Sequence, residues 1–165
     1  LFGWIMDTSD GDDAPWKSVN HTRLNTFGQE VSLRFTLPDL LGRPGFFFRS
    51  LSLGYSHQTQ DKALEANLRS IYSLEYIRHK VVAQADFRFW DKLALDLSWR
   101  YVDRNTGSEL LTPYSLLDAK VGYDFPRLNL YLRANNLLNR TWYDFGDIPQ
   151  PGLWLIVGVS CKLPY

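Results

Sequence analysis

The sequence is poor in cysteine and has no net charge, and each deficit excludes a class of protein. Cys161 is the single cysteine among 165 residues, so no internal disulfide can form and a disulfide-stapled scaffold is excluded. Cys161 falls in an apolar alternating run, which indicates a small packing residue rather than a reactive thiol. Eighteen basic side chains balance eighteen acidic ones. This balance removes the usual electrostatic basis for binding nucleic acid, and we expect no such partner.

Long hydrophobic runs are also missing. No stretch of about 18 consecutive apolar residues occurs, so the sequence offers no candidate for a transmembrane helix. A membrane location stays possible, because the strands of membrane barrels give a much weaker signal per segment. The opening stretch LFGWIMDTSD lacks the basic start and the cleavage site of a signal peptide and resembles the middle of a strand. We therefore expect the chain to begin part-way through a longer protein.

Motifs for catalysis and metal binding are absent from the sequence. There is no Gly-x-Ser-x-Gly, no glycine-rich phosphate loop and no His-Glu-x-x-His. His21, His57 and His79 lie far apart and show no metal-ligand spacing. The acidic stretch 7–15 lacks the spacing of a calcium loop and its closing glutamate, which favours a solvated loop. The sequence thus predicts no enzyme, no bound metal and no cofactor.

What the sequence does contain is a sustained hydrophobic alternation with a period of two, together with 15% aromatic residues. In residues 115–125 one face carries Leu117, Ala119, Val121, Tyr123 and Phe125. The same alternation recurs in residues 31–37, 81–89, 93–101, 128–134 and 153–163, and less cleanly in 47–55. With the opening residues, this pattern predicts about eight strands. They should be antiparallel, because no connection has the pattern of a crossover helix.

Short and long connections alternate along the chain. The short ones are residues 38–45, 90–92 and 126–127, and the long ones are 7–18, 58–78, 103–114 and 138–152. Short turns at one end and long loops at the other are typical of an outer-membrane barrel. One segment deviates: residues 62–80 have apolar side chains at helical spacing, so we expect a short helical or irregular excursion within that long loop.

Alternation alone does not decide which face of the strands meets water. A soluble, lipocalin-like barrel of eight strands would turn its apolar face inward, whereas a membrane barrel reverses both faces. The alternating runs are about as long as the 9–11 residues that cross a bilayer at a tilt. Aromatic residues such as Phe89 and Tyr123 end several apolar faces, as an interfacial girdle requires. These features favour the membrane barrel, and the soluble ligand-binding barrel remains the alternative.

The C-terminal residues resemble the end of a TonB-dependent outer-membrane receptor. The motif Asn-Leu-x-Asn stands at residues 136–139, an aromatic pair follows at Trp142 and Tyr143, and a Pro-Gly pair at residues 151–152 opens the last strand. Upstream, TFGQEVSLRF resembles the strand Thr-x-Gly-x-Glu of that family, and SLEYIRHKVV resembles a stretch of its cobalamin and haem branch, especially in Bacteroidetes-like sequences. Leu153 departs from the family pattern, which usually has arginine there.

The resemblance implies an all-β fold, an antiparallel up-and-down transmembrane β-barrel in the bacterial outer membrane. Residues 1–165 would be a single partial domain, about eight C-terminal strands of a 22-stranded barrel without its plug domain. The implied activity is TonB-dependent uptake of a scarce small molecule such as a siderophore, haem or cobalamin. Its partners would be outer-membrane lipid, that ligand, and, in the full-length protein, its own plug domain and TonB. Long connections would be extracellular and short ones periplasmic.

The resemblance also assigns roles to residues. Charged side chains on the polar strand faces would point to the lumen and the plug: Glu30, Arg34, Asp86, Arg88, Asp96, Arg100, Asp118, Lys120, Asp124, Arg133 and Lys162. The competing interpretation is that these charges pair with one another across strands. Loop aromatics would contact the ligand: Trp16, Tyr114, Trp142 and Tyr143. Alternatively, these aromatics belong to the interfacial belt or staple the loops.

A last expectation concerns association. Eight strands cut from a larger barrel would leave two unpaired edges and an apolar outer face. We therefore expect the isolated chain to associate with other copies of itself.

Overall fold

The described part of the chain folds into β-strands and one short helix. The computed structural model describes residues 2–7, 15, 17–20, 24–62, 68–70, 76–105, 111–144 and 148–161. The strands are β1 (Phe2–Asp7), β2 (Lys17–Asn20), β3 (Leu24–Thr36), β4 (Phe48–Lys62), β5 (Leu68–Ser70), β6 (Tyr76–Phe89), β7 (Leu93–Asn105), β8 (Tyr114–Asp124), β9 (Leu128–Asn135) and β10 (Trp154–Cys161). The helix is α1 (Leu37–Leu40), which begins with Pro38 in its first turn, where proline is tolerated. With four residues α1 is far too short to span a bilayer, and the described residues contain no helix longer than this.

Seven of the strands form one antiparallel, up-and-down sheet in the order β10-β9-β8-β7-β6-β4-β3. Each strand pairs with its neighbour along the chain, apart from β5, which lies outside this sheet. The predicted antiparallel meander is therefore confirmed. Among the described residues, β3 and β10 are each paired on one side only.

The register keeps each face of the sheet uniform from strand to strand. One row of paired residues runs Leu33, Leu53, Ala83, Trp99, Leu117. The neighbouring row on the opposite face runs Arg34, Ser52, Gln84, Ser98, Asp118. Because side chains alternate with a period of two, a slip by one residue would mix the two rows, so the pattern specifies the register.

The connections of the main sheet lie at its two ends. At the tight end lie residues 37–47, 90–92 and 125–127, and at the loop end lie 63–75, 106–113 and 136–153. The tightest turn places Trp90 and Asp91 at φ 49° and 56°, and Lys92 N donates to Phe89 O at 3.1 Å. Positive φ at both central residues matches the right-handed twist of the flanking strands. From β4 to β10 the predicted alternation of short and long connections is confirmed. The prediction of a short connection is wrong for residues 37–47, because that connection is longer than residues 106–113 at the loop end.

Two further predictions from the sequence are wrong. The opening strand β1 does not extend the main sheet but pairs with β2 and β5 in a separate three-stranded sheet. The helical excursion is contradicted where the structure describes residues 62–80, because β5 and the start of β6 are strands. Ladder partners explain this: Ser70 pairs with Ile5, and Tyr76 pairs with Asn105. Residues 63–67 and 71–75 lie outside the described ranges.

The apolar face of the sheet is largely uncovered by the chain. In the described residues the buried hydrophobic side chains are Val102, Leu111, Leu116 and Ala134. By contrast, Leu33 is 52% exposed and Val157 is 76% exposed. A soluble domain of this length normally encloses a substantial apolar core. Cys161, expected to pack, is also exposed at the end of β10.

The polar face of the sheet, by contrast, contains hollows that are lined by described residues. Four of them, with volumes between about 270 and 410 Å³, are lined mainly by residues of this face. The largest lies between β3, β4 and β6 and includes Glu30, Ser56 and Lys80. Two others are described with the candidate site below. The sheet is therefore recessed on the side that carries its charges.

Candidate functional site

A pocket of about 390 Å³ lies on the polar face at the loop end of the sheet. We call it the loop pocket. It is lined by Arg100, Leu116, Asp118, Arg133, Asn135, Asn136, Trp142, Pro151, Trp154 and Ile156. Strands β7 to β10 supply its floor, and residues 136–153, the β9–β10 loop, supply Asn136, Trp142 and Pro151.

Asn136 ties the two ends of the β9–β10 loop together. Its side chain is 3% exposed, and its Nδ2 donates to Arg140 O at 2.8 Å and to Pro151 O at 3.3 Å. Its Oδ1 accepts from Arg140 N at 2.9 Å, and its backbone N–H donates to Asp118 Oδ1 at 2.8 Å. Because every polar group of this buried amide has a partner, the loop leaves β9 in a fixed direction.

Asn139 holds the re-entry of the chain into β10. Its Oδ1 accepts from Leu153 N at 2.9 Å. Asn136 and Asn139 both adopt positive φ, 50° and 48°, a region that asparagine tolerates better than most residues. The asparagine motif therefore has a structural explanation: its backbone makes the turn, and its amides bind the loop at both ends.

Trp142 is held over the polar face by three contacts. Its ring centroid lies 4.7 Å from that of Tyr114, with the planes tilted by 44°. The guanidinium carbon of Arg100 lies 5.6 Å from the indole centroid, within the range of a cation–π interaction. Its Nε1 donates to Pro151 O at 3.4 Å. These contacts place an aromatic wall on one side of the loop pocket.

A second anchor of the loop involves Asp144, Arg104 and Tyr114. The Asp144 carboxylate accepts hydrogen bonds from Arg104 Nη2 and from the Tyr114 hydroxyl, the latter at 3.1 Å. Burial raises the pKa of Tyr114, and the negative charge of Asp144 raises it further. Tyr114 is therefore protonated at neutral pH and is the donor to Asp144. In the register of the sheet, Tyr114 pairs with Val102 of β7. This pair lies one residue closer to the loop end than the pair of Tyr101 with Ser115.

The aromatic residues predicted to contact ligand are brought together in part. Tyr114 and Trp142 touch, and of these two only Trp142 lines the loop pocket. Tyr143 is half-buried and forms a β-bridge with Pro149. Trp16 lies outside the described residues. These contacts give Tyr114 and Trp142 the stapling role that was the alternative interpretation, and Trp142 keeps a position from which it can meet a ligand.

Some of the charged residues predicted to face the lumen are paired within the sheet. Arg88 forms an ion pair with Asp124 at 2.9 Å, near the tight end. Asp86 accepts a hydrogen bond from Ser50. Lys120 Nζ lies 5.1 Å from the ring centroid of Tyr131. Cross-strand pairing, the alternative interpretation of these charges, thus describes Arg88 and Asp124.

Other predicted lumen residues have no such partner. Glu30, Arg34, Asp96 and Arg133 lie on the polar face and make no ion pair or hydrogen bond with any residue that the structure describes. A hollow of about 270 Å³ collects several polar-face side chains, namely Gln84, Asp86, Asp96, Ser98, Asp118, Lys120 and Arg133. Lys162 lies outside the described residues. The middle of the polar face therefore presents free charges of both signs.

Sequence reasoning missed Trp154, Ile156, Arg104 and Asp144. A signal existed for the first two, because Trp154 and Ile156 share the parity of Gly158 and Ser160, opposite to Leu155 and Val157. Parity places them on the polar face. No comparable signal marks the pairing of Arg104 with Asp144, since Asp144 lies in an irregular loop.

The histidine and acidic side chains of the described residues are scattered over the sheet. Within the described ranges, no group of three or more His, Cys, Asp and Glu side chains is arranged to hold a metal ion. His57 and His79 do stack on each other, with centroids 4.6 Å apart, but on the apolar face and without a third ligand among the described residues.

Comparisons with protein-family models, with curated proteins and with solved structures found no match to this chain.

Proposed function

We propose that this chain forms part of the wall of a transmembrane β-barrel in the bacterial outer membrane, in a receptor that imports a scarce small ligand. One observation carries the proposal: the apolar face of the seven-stranded sheet is exposed, whereas its charged face is recessed. A soluble protein arranges the two faces the other way round. A bilayer supplies the missing apolar environment for the exposed face.

The exposed face is uniform enough to meet hydrocarbon. Consider the rows of paired residues from Leu93 to Tyr101. Apart from Arg49, which lies at the bulge of β4 and forms an ion pair with Asp91 of the tight turn, no charged residue occupies the apolar face of the described strands there. Val31 is 56% exposed and Leu132 is 45% exposed, on strands far apart in the sheet. Since each Å² of apolar surface taken from water contributes about 25 cal/mol, leaving the whole face in water would be costly.

Aromatic residues border this face at both ends. At the tight end Phe89 pairs with Leu93, and Tyr123 pairs with Leu93 from the other side. At the loop end Trp99 and Tyr101 lie on β7, and Tyr55 lies in the Tyr101 row. Eight residue steps separate Leu93 from Tyr101, about 27 Å along a strand. Tilted by roughly 35–45°, a strand of this length rises about 20 Å, which is close to the apolar band of about 25 Å between two aromatic girdles.

The soluble, lipocalin-like alternative is less compatible with these features. Such a barrel closes on itself with its apolar face around the ligand cavity. Here the charged face carries hollows that are lined by described residues. In the described residues β3 and β10 also remain open edges, which supports a wall completed by further strands.

Uptake is the part of the proposal that rests on the resemblance to TonB-dependent receptors. The recessed face would line the lumen, and its free charges, such as Asp96 and Arg133, would meet the plug domain of the full-length protein. The loop end would face the outside and take part in capturing a siderophore, haem or cobalamin. TonB would then drive release of the ligand through the barrel. The chain's own side chains bind and position, and no covalent step is needed.

Site-directed spin labelling in lipid vesicles tests the membrane location. Labels are attached at Val121→Cys on the apolar face and, separately, at Ser98→Cys on the polar face, both in a Cys161→Ser background. The measured quantity is the acceleration of spin relaxation by a paramagnetic reagent that collides with the label. We expect oxygen, which partitions into lipid, to be the more effective reagent for the label at residue 121. A water-soluble nickel chelate should be the more effective reagent for the label at residue 98. Equal access of the nickel chelate to both labels would overturn the membrane proposal.

Growth tests probe the uptake activity separately. A strain lacking the gene for this protein is supplied with haem, cyanocobalamin or ferrichrome as the limiting nutrient. We expect growth on one of these three to fail and to return with the intact gene. Growth equal to the parent strain on all three would contradict uptake of these ligands, even where the labels report lipid contact.

A further inference from the structure

We propose that the loop pocket binds a small organic anion with a flat apolar body, of the class of aromatic carboxylates. The inference deepens the receptor proposal by naming a ligand class, and it rests on that proposal for the position of the pocket on the outer side of the membrane. Its own basis is the charge, shape and lining of the pocket.

The charge of the pocket is unbalanced. Two of its lining residues are cationic, Arg100 and Arg133, and one is anionic, Asp118. Neither arginine forms an ion pair with a residue that the structure describes. One oxygen of Asp118 accepts the backbone N–H of Asn136. The pocket therefore holds an excess positive charge, which an anion would neutralise.

Arg100 is the stronger of the two cationic positions. It is half-buried, and its Nε is shielded from solvent without a hydrogen-bond partner among the described residues. A cation that is partly withdrawn from water without a counter-ion is destabilised, so an arriving carboxylate gains more here than at an exposed site. The contact with Trp142 fixes the direction of the guanidinium. A fixed planar fork is suited to binding a carboxylate through two hydrogen bonds.

The remaining walls are apolar and flat. Trp142 and Trp154 contribute indole rings, and Leu116 and Ile156 contribute aliphatic side chains. Trp154 is 54% exposed, which leaves ring surface available to an occupant. A volume of about 390 Å³ falls within the range of small-molecule sites. An inorganic anion would leave these walls unused, whereas an aromatic carboxylate contacts both the walls and the arginines.

Binding of 2-naphthoate to the purified protein in detergent micelles tests the proposal. Two further probes separate the contributions: 2-naphthalenemethanol keeps the rings without the charge, and acetate keeps the charge without the rings. We expect 2-naphthoate to bind at least about tenfold more tightly than either. Equal affinity for the acid and the alcohol would overturn the proposal.

Three variants locate the site. Arg100→Gln should weaken 2-naphthoate at least about tenfold and leave the alcohol unchanged, since about one charge-assisted hydrogen bond is lost. Arg133→Gln, at an exposed position that needs no partner for folding, should weaken it by a smaller factor. Arg34→Gln is the matched control, an unpaired arginine of the same face on β3, and should change nothing. Unchanged binding in both pocket variants, or an equal loss in Arg34→Gln, would overturn the assignment.

The two proposals fail separately. Absence of 2-naphthoate binding in a protein whose residue 121 label lies in lipid would remove the pocket assignment and leave the barrel proposal intact. Conversely, arginine-dependent binding in a protein whose label at residue 121 meets water would remove the barrel proposal and leave the pocket assignment intact.

Discussion

Asn139 and Gly152 fit against each other at the base of the β9–β10 loop, so closely that a Cβ on residue 152 would lie 2.5 Å from Asn139 Oδ1. The asparagine cannot simply swing away, because the same oxygen accepts the hydrogen bond from Leu153 N. The Pro-Gly pair that opens the last strand thus needs its glycine for space. The requirement links two parts of the motif that lie far apart in sequence.

The first prediction follows from this contact. Gly152→Ala should lower the free energy of unfolding by about 0.5–1.5 kcal/mol, since the methyl group displaces Asn139 and removes its hydrogen bond with Leu153 N. Urea titration of the folded protein in detergent micelles measures the loss. Gly45→Ala is the matched control, because nothing lies within 4 Å of a Cβ at that position.

A double substitution identifies the cause of the loss. If Asn139 is the obstacle, Gly152→Ala should cost almost nothing further in an Asn139→Ala background. Additive losses in the double variant would place the strain elsewhere in the loop.

The two asparagines of the motif should respond differently to the same isosteric change. Asn136 uses its Nδ2 as a donor to two carbonyl oxygens, whereas Asn139 is used as an acceptor. Asn136→Asp removes both donors and places a buried carboxylate next to the two carbonyl oxygens. We therefore expect the free energy of unfolding to fall by about 1–3 kcal/mol. Asn139→Asp keeps the acceptor at an exposed site and should cost less than about 0.5 kcal/mol. Equal effects in urea titrations would contradict the assigned hydrogen bonds.

The main sheet was predictable from the sequence because its physical cause is local. In a strand whose hydrophobic residues alternate with a period of two, the sequence shows which residues share each face. A short connection such as residues 90–92 then requires the two strands that it joins to be neighbours in the sheet. The position of β1 was not predictable in this way. Its few residues show the strand pattern but not the partners. Strand β2 follows it directly along the chain, whereas β5, its partner on the other side, is distant in the sequence.

The site was predictable only by residue type. Loop position and ring area suggested Tyr114 and Trp142, yet nothing in the sequence shows that they touch each other. Pairing of charges was harder still. Arg88 meets Asp124 across the intervening strand β7, whereas Asp96 and Lys120, directly opposite in register, form no ion pair in the described structure. Side-chain direction decides such contacts, and alternation does not encode it.

A pH prediction concerns Tyr114, which lies beyond the apolar face towards the loops. Burial and then the charge of Asp144 raise its pKa above the ordinary value of 10.0. Because the folded state favours the protonated hydroxyl, this contribution to stability is complete below pH 10 and is lost as pH rises through the pKa of the folded state. Asp144→Asn should lower the pKa of Tyr114 without returning it to 10, since burial remains.

Tyrosine-selective carbon NMR measures this titration. The nine tyrosines require an assignment, which Tyr114→Phe supplies by removing one signal. A Tyr114 signal that titrates at the same pH in the parent and in Asp144→Asn would show that the carboxylate does not act on the hydroxyl.

The last prediction separates a lipid-facing sheet from one that faces water. Val157 is 76% exposed on β10, so in water an arginine at this position would change stability by less than about 0.5 kcal/mol. In a bilayer the same Val157→Arg should cost on the order of 2 kcal/mol, because the charge must enter hydrocarbon or distort the membrane around it. Ser160→Arg, on the polar face of the same strand, is the control and should be tolerated in both settings. Urea titrations in lipid vesicles compare the three proteins, and a Val157→Arg variant as stable as the parent would exclude contact between this face and lipid.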